Sequence, residues 1–385
     1  MATTLVGAPA GADGPSPGGM SSDNVEWIKH IPYSINGVGG RVVDGYFYTN
    51  DQNKVMIFDV SDPINPVLTG FVPMPQQYMY SREDLDTNGE IMVVPNDYTA
   101  SPREPGEPGL PVKTGTLYVI DVEDKSNPQI IATVPGASQH TASCVLDCRY
   151  VYGSAGAIVD IRDPANPKFL ERKWYDSLPP GSAAGGHDVE EIAPGLVLTA
   201  SRPIMLLDAR KDPTRPKLLA VGPVPPEQSA VVHSGRWPRG GKSDFLLFGS
   251  ETNNRPQCDG PGAGSFTTWD ATQWKKTRTF TPIDEFKITN GTYADGRPAA
   301  NVWGCSVHWL EANPRYGRTG GLVASGWFEH GVRFLDVNSK GKIEEVGYYM
   351  PWNGNTSAAY WVTDRIVYTA DYNRGIDIIK YNGKL

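Results

Sequence analysis

"VMIFDVSDPINPVLTGF", residues 55–71, decides the fold, because variants of this stretch recur along the chain. Each copy has an apolar, β-branched run, then Asp or a polar substitute, a turn and a second extended run. In the clearest copies the turn reads D-P-x-N-P, where Asp and Asn side chains cap the turn and Pro ends the strand. The copies occupy residues 55–71, 117–134, 157–174 and 204–222, with looser versions at 266–283 and 332–349 and a truncated one at 375–385.

Two further short strands precede each copy, so the repeating unit has four strands, A to D. Aligned positions from 59 to 380 lie about 54 residues apart, which gives seven units. Repeated four-stranded units of this size predict an all-β, seven-bladed β-propeller. The seventh unit lacks its outer strand, and we expect residues 25–32 to supply it, because an open edge would leave backbone groups unpaired. The alternative is an all-β protein of two domains.

Two copies of the repeated stretch carry a family resemblance. "IFDVSDPINP" (57–66) and "VDIRDPANP" (159–167) resemble the LVIVD-repeat family, whose repeats build β-propellers. The resemblance extends over most of the chain from about residue 25, and it weakens in units five and six, which lack the D-P-x-N-P turn. It implies a fold rather than a reaction, because one fold supports many functions.

Composition limits the partners. The formal net charge is −8 and basic residues form no block, so nucleic acid and anionic membranes are poor partners. No run approaches the ~18 apolar residues of a membrane span. Residues 1–24 predict a flexible arm without a visible signal peptide, and we expect a cytoplasmic protein, although an export signal could have been removed.

The four cysteines are Cys144, Cys148, Cys258 and Cys305. Cys144 and Cys148 would lie about 13 Å apart if they shared one extended strand, which is too far for a disulfide. This spacing favours free thiols in a reducing compartment.

Four of the six histidines occupy one repeat position. His140, His187, His233 and His308 each stand where strand A begins, in units three to six. Random placement would put about 0.1 histidine at a given repeat position over seven units. Because strands A line the axis of a propeller, we expect the four side chains to bind one metal there, Fe(II) or Cu, which suit neutral imidazole. The corresponding places in the other units lie near Asn36, Ser81 and Thr356.

Other residues are expected around this metal. Carboxylates that could orient the histidines are Asp188, Glu190, Glu251 and Glu329. The candidate catalytic residues are Glu251 and His330, and His330 could instead be a fifth ligand. Trp327 and Phe328 are candidate walls of an apolar substrate pocket, beside long loops at 96–115 and 250–265. The alternatives are ordinary surface carboxylates and packing between blades.

The predicted arrangement is similar to two kinds of propeller enzyme with a histidine-bound metal, the carotenoid-cleaving oxygenases and the selenium-binding-protein-type thiol oxidases. Their flanking motifs and cysteine motifs are missing here. The similarity implies redox chemistry without naming a substrate. Together with the candidate pocket walls Trp327 and Phe328, it leads to the hypothesis of an oxidoreductase that uses O₂ as co-substrate and acts on an apolar or aromatic small molecule. Two alternatives stay open: a non-catalytic, metal-stabilised interaction propeller, and a metal-dependent hydrolase or lyase. The sequence predicts no oligomeric state.

Overall fold

The computed structural model describes residues 14–15, 18–32, 39–51, 53–74, 83–96, 115–137, 140–225, 231–251, 263–288, 304 and 306–385. It confirms the seven-bladed propeller: there are seven antiparallel sheets, and their innermost strands contact one another in a closed ring. Short helical turns occur at Trp174–Ser177, Pro238–Gly241 and Trp274–Thr277. Within the described ranges, no helix is long and apolar enough to cross a membrane.

The first four blades follow the order A, B, C, D from the axis outward. Blade one comprises Gly40–Val43, Tyr46–Asn50, Lys54–Asp59 and Val67–Pro73. Blade two comprises Asp86–Thr87, Ile91–Val94, Thr116–Asp121 and Gln129–Pro135. Blade three comprises Ala142–Val145, Tyr150–Gly153, Ile158–Asp160 and Lys168–Phe169. Blade four comprises Asp188–Ala193, Leu196–Ala200, Ile204–Asp208 and Lys217–Gly222.

The last three blades keep this order, and blade seven draws its outer strand from the start of the chain. Blade five comprises Val231–Arg236, Phe245–Glu251, Phe266–Asp270 and Thr281–Phe286. Blade six comprises Leu310–Ala312, Gly321–Gly326, Val332–Val337 and Ile343–Pro351. Blade seven comprises Thr356–Trp361, Ile366–Asp371, Ile376–Tyr381 and Val25–Ile31.

The D-P-x-N-P turns form as their residue types predict. In blade one, Asp62 accepts hydrogen bonds from the backbone N–H of Ile64, at 3.2 Å, and from the amide of Asn65, at 2.9 Å. In blade three, the amide of Asn166 donates to Asp163 at 3.1 Å. These side chains satisfy the turn between strands C and D, so the turn repeats wherever the motif does.

Strand Val25–Ile31 closes the ring, as predicted. It pairs along Ile376–Tyr381 of blade seven. The indole N–H of Trp27 donates to Oδ1 of the buried Asp377 at 3.0 Å, and Nδ1 of His30 lies 3.1 Å from the same oxygen. His30 therefore belongs to the ring closure and lies on the outer edge of the propeller.

Two described pieces of the N-terminal arm, which was expected to be flexible over residues 1–24, form short strands. Gly19–Ser21 pairs with the outer strand of blade six, and Gly14–Pro15 pairs with Gly19–Ser21 in turn. A Cβ at Gly19 would lie 2.1 Å from the carbonyl oxygen of Met350, so only glycine allows this approach. The glycine content had predicted flexibility, but at Gly19 the missing side chain allows this segment to pair with a neighbouring strand.

Cys144 and Cys148 form a disulfide, so the free-thiol prediction was wrong for this pair. Strand A of blade three ends at Val145, which pairs with Tyr150. Between them Leu146, Asp147 and Cys148 all adopt positive φ, and this left-handed turn brings the two Cα atoms within 4.4 Å. The predicted separation of about 13 Å assumed a continuous strand. Cys258 and Cys305 lie outside the described residues.

Candidate metal centre

The four histidines meet at the end of the central channel where the strands A begin. His187 directly precedes the inner strand of blade four, and His140 and His308 stand two residues ahead of the inner strands of blades three and six. His233 lies within the inner strand of blade five, at a point where the register shifts. The ring centroids of successive histidines are 5.0, 3.9 and 4.1 Å apart. The structure thus brings these side chains together, and metal ligation by them stays a prediction.

A fifth residue, Glu83, lies between the four imidazoles. Its Oε2 atom contacts Nε2 of His140 and lies 3.5 Å from Nε2 of His187. Its Oε1 atom contacts Nε2 of His308 and lies 3.3 Å from Nε2 of His233. The carboxylate therefore faces one pair of histidines with each oxygen. We call these five residues the imidazole centre.

Sequence reasoning missed Glu83, although a signal for it existed. The repeat places the corresponding position of blade two near Ser81, two residues away. Glu83 stands just ahead of the inner strand Asp86–Thr87. A search that admitted any ligand type at the repeat position, and not only histidine, would have found it.

The charges of the centre follow from burial and from the interactions between Glu83 and the imidazoles. Burial pushes the pKa of Glu83 up, but the four imidazoles, His140 foremost, hold it well below its usual value. Burial and the neighbouring imidazoles lower the pKa of His233 to about 3, and they hold the pKa of His187 well below its usual value, while Glu83 opposes both shifts. At neutral pH the carboxylate is ionised, and these two imidazoles are neutral.

The backbone holds His308 in one tautomer. Nδ1 of His308 lies 2.9 Å from the carbonyl oxygen of Ser357, and a carbonyl can only accept, so Nδ1 carries the proton. In the neutral ring, Nε2 then has a lone pair, and that lone pair faces Oε1 of Glu83. This is the tautomer that a metal ligand requires.

Hydroxyl groups tie the histidine backbones of neighbouring blades together. The hydroxyl of Thr141, which follows His140, donates to the carbonyl oxygen of His187 at 2.5 Å. The hydroxyl of Ser234, which follows His233, donates to the carbonyl oxygen of His308 at 2.6 Å. In these two pairs, the residue after one histidine holds the backbone of the next histidine in place.

The centre is reached from the side of blades three and four. The exposed fraction of the side chain is 31 % for His140 and 15 % for His187, against 0 % for His233 and 1 % for His308. Beside His187 lies an open cleft of about 430 Å³, walled by small residues including Ala183 and Gly186 and by Arg202. A small molecule could approach the imidazoles through this cleft.

Among the predicted neighbours, Glu251 lies beside the centre. Its Oε2 atom is 3.9 Å from Nε2 of His233, and its Oε1 atom is 3.9 Å from Nε2 of His308. Burial raises the pKa of Glu251 to about 7. Phe328 also contacts the centre: its ring lies 4.7 Å from that of His308 and stacks on Tyr372.

The other predicted neighbours are Trp327, Glu329 and His330. Trp327 is fully buried between blades, where its indole N–H donates to Ser325 at 2.7 Å, in line with the packing alternative. Nδ1 of His330 lies 2.9 Å from the carbonyl oxygen of Gly304. Among the described residues, neither His330 nor Glu329 joins the groups whose ligand atoms lie within 4.8 Å of one another. The long loops at 96–115 and 250–265 fall mostly outside the described residues.

Asp188 and Glu190 were expected to orient the histidines, but their contacts lie elsewhere. Consecutive side chains of a strand point to opposite faces, so Asp188 turns away from His187. Neither carboxylate oxygen of Asp188 has a hydrogen-bond partner in the described part of the chain. The Oε2 atom of Glu190 instead accepts from Arg41 at 2.9 Å. Both carboxylates belong to a second cluster farther along the channel, with Asp84.

Comparison with known proteins supports the architecture. The LVIVD repeat matches residues 41–73, which form blade one, so the chain carries a repeat of this kind. No curated protein sequence matches the chain.

Solved structures share the fold at low identity. U3-55K is 10 % identical, with a TM-score of 0.55 over 95 % of this chain and 100 % of that one. The N-terminal domain of Nup159 is 10 % identical, with a TM-score of 0.51 over 96 % and 97 %. The periplasmic gluconolactonase of Pseudomonas aeruginosa is 13 % identical, with a TM-score of 0.53 over 83 % and 84 %. At such identities the likeness concerns the fold alone.

Proposed function

We propose that this propeller is a metal-dependent oxidoreductase whose metal is held by the imidazole centre. The observation that carries the proposal is the contact between His308 and Glu83. With its proton fixed on Nδ1 by Ser357, a neutral His308 would point a lone pair at a carboxylate oxygen, and two acceptors repel each other at contact distance. A proton on Nε2 of His308 can remove this repulsion for the one pair, whereas a metal cation held by the centre would remove it for all five residues at once.

The donor set narrows the choice of metal. Imidazole nitrogen suits Fe, Cu, Ni and Zn, and two histidines with one carboxylate form the ligand set of non-haem Fe(II) oxygenases. Here two such sets share Glu83, one with His140 and His187 and the other with His233 and His308. Zinc in catalytic sites takes three protein ligands and in structural sites four, so five converging donors favour Fe(II) or Cu.

When bound, such a metal would activate O₂ for reaction with a substrate. The protein groups have simpler roles. Glu83 offsets part of the cation's charge, and the carbonyl oxygen of Ser357 orients His308. The rings of Phe328 and Tyr372 exclude water on the side of blades six and seven. The cleft at His187 admits an apolar or aromatic small molecule from the opposite side.

The test is metal content and O₂ consumption of protein purified without oxygen and then supplied with Fe(II) or Cu. We expect close to one metal ion per chain and O₂ uptake that depends on it. His187→Ala should lose most of the metal, whereas His30→Ala, on the outer strand of blade seven, should retain it. Equal retention in the two variants would remove the ligand assignment. A chain without transition metal after repletion would refute the proposal.

A second candidate is a metal-dependent hydrolase, and Glu251 favours it. A buried carboxylate 3.9 Å from two imidazoles could take a proton from water. The gluconolactonase with this fold is named for activity on a lactone. Metal-dependent lactone hydrolysis without O₂ uptake, abolished by Glu251→Gln, would select this function over the oxidoreductase.

A further inference from the structure

A second group of charged side chains lines the channel farther along the strands A. It contains five carboxylates, two guanidinium groups and no histidine among the described residues. We call it the carboxylate cluster, and its members are Arg41, Asp84, Asp86, Asp188, Glu190, Arg236 and Glu311.

The cluster spans the channel. Arg41 of blade one donates to Glu190 of blade four at 2.9 Å, although these blades are not neighbours in the ring. Nη1 of Arg236 lies 3.4 Å from the same Oε2 atom of Glu190. Guanidinium groups from two different blades therefore converge on one oxygen of Glu190.

Arg41 and Arg236 do not satisfy every carboxylate. Asp86 and Glu311 each accept a hydrogen bond from a guanidinium group. Arg41 donates to Asp86 at 3.2 Å, and Arg236 donates to Glu311 at 2.8 Å. Asp188 is different. Its side chain is 1 % exposed, both its oxygens lack a hydrogen-bond partner in the described ranges, and Nη1 of Arg236 is 3.8 Å away.

The unsatisfied oxygens of Asp188 face other oxygens. Ligand atoms of Asp188, Asp84 and Glu190 lie within 4.8 Å of one another. The Oδ1 atom of Asp84 also lacks a hydrogen-bond partner and has only an ion pair of 3.2 Å with Arg41. Carboxylates that share a buried space repel one another unless a cation or a proton separates them.

We propose that Asp84, Asp188 and Glu190 form a second metal site, which takes a hard divalent cation of the Mg²⁺, Ca²⁺ or Mn²⁺ class. Ligands of carboxylate oxygen alone suit these cations, whereas the imidazole centre suits softer metals. The two sites are one residue apart in the chain, since Asp84 follows Glu83 and Asp188 follows His187. The inference stands independently of the proposed function.

The experiment is titration of chelator-treated protein with Mn²⁺, followed by electron paramagnetic resonance. Electron–nuclear double resonance separates the two sites, because only Mn²⁺ at the imidazole centre shows ¹⁴N coupling. We expect one bound Mn²⁺ without ¹⁴N coupling in the wild-type protein. Absence of such an ion in the wild-type protein would overturn the proposal, and this readout needs no variant.

Variants then assign the ligands. Asp188→Asn should weaken the Mn²⁺ without ¹⁴N coupling roughly tenfold or more, because it removes one ligand charge. Glu311→Gln, in the same cluster but outside the proposed ligands, should leave its binding near the wild-type value. His233→Ala should also retain it, since only the imidazole centre is altered. Unchanged affinity in folded Asp188→Asn would overturn the site, and Asp84→Asn provides the same test if Asp188→Asn does not fold.

Discussion

The imidazole centre and the carboxylate cluster are lined by the same inner strands, but their charges are balanced in different ways. In the carboxylate cluster, Arg41 and Arg236 are built into the chain as counter-charges. In the imidazole centre, the described ion-pair partners of Glu83 are all imidazoles, whose charge depends on protons or a metal from solution. The carboxylate cluster therefore receives part of its counter-charge from the chain itself, whereas the imidazole centre depends on what it binds from solution.

The sharpest test of this contrast is Arg41→Met. It leaves Asp84, Asp86 and Glu190 without their shared guanidinium, and breaking a buried ion pair costs about 3–5 kcal/mol. We expect the free energy of unfolding in urea to fall by that amount. The matched control is Arg162→Met, whose ion pair with Asp160 is solvent-exposed and should contribute about 0–1 kcal/mol. Similar losses in both variants would show that the cluster does not stabilise the fold.

Glu83→Gln tests the other end of the channel. The change keeps the shape and removes the charge, so metal affinity should fall by roughly 100-fold, while the far-ultraviolet circular dichroism stays unchanged. The control is Glu90→Gln, at an exposed position of the same blade. If Glu83→Gln unfolds the protein as severely as Arg41→Met does, then Glu83 is structural and the contrast fails.

Removal of the disulfide in blade three tests whether the bridged turn holds Asp86 of the carboxylate cluster in place. The backbone N–H of Cys144 donates to Asp86 at 2.8 Å, so the bridged turn adjoins the cluster. Replacing both cysteines by serine opens a short loop and should reduce the free energy of unfolding by about 2 kcal/mol in the chain-entropy view. A reductant should have the same effect on the wild-type protein and none on the double variant. Metal binding at the imidazole centre should not change.

Ser234→Ala should give the smallest effect. It removes a buried hydrogen bond to the carbonyl oxygen of His308, worth about 1 kcal/mol. Because it also releases the backbone of a ligand, metal affinity should fall roughly tenfold. Ser325→Ala, which removes a buried hydroxyl from Trp327, should cost similar stability without changing metal affinity. Equal metal affinity in the two variants would assign Ser234 a purely structural role.

The repeat pattern predicts the fold more completely than it predicts the candidate site. The repeated turns and alternating strands are local patterns, and each repeat reports its own hairpin, so the seven blades and the closing strand Val25–Ile31 were predictable. The position of each histidine was also predictable, because a repeat assigns the same place in every blade to one level of the channel.

The sequence by itself determined the ring of blades and the level at which four histidines stand, because both follow from periodicity. Only the tertiary structure decided that Glu83 joins them, that Arg41 reaches Glu190 across the channel, and that Asp188 stays without a hydrogen-bond partner in the described residues. These contacts join residues 57 to 225 positions apart. Their geometry depends on how the ring closes and on which face each side chain of an inner strand presents, and no local pattern encodes either.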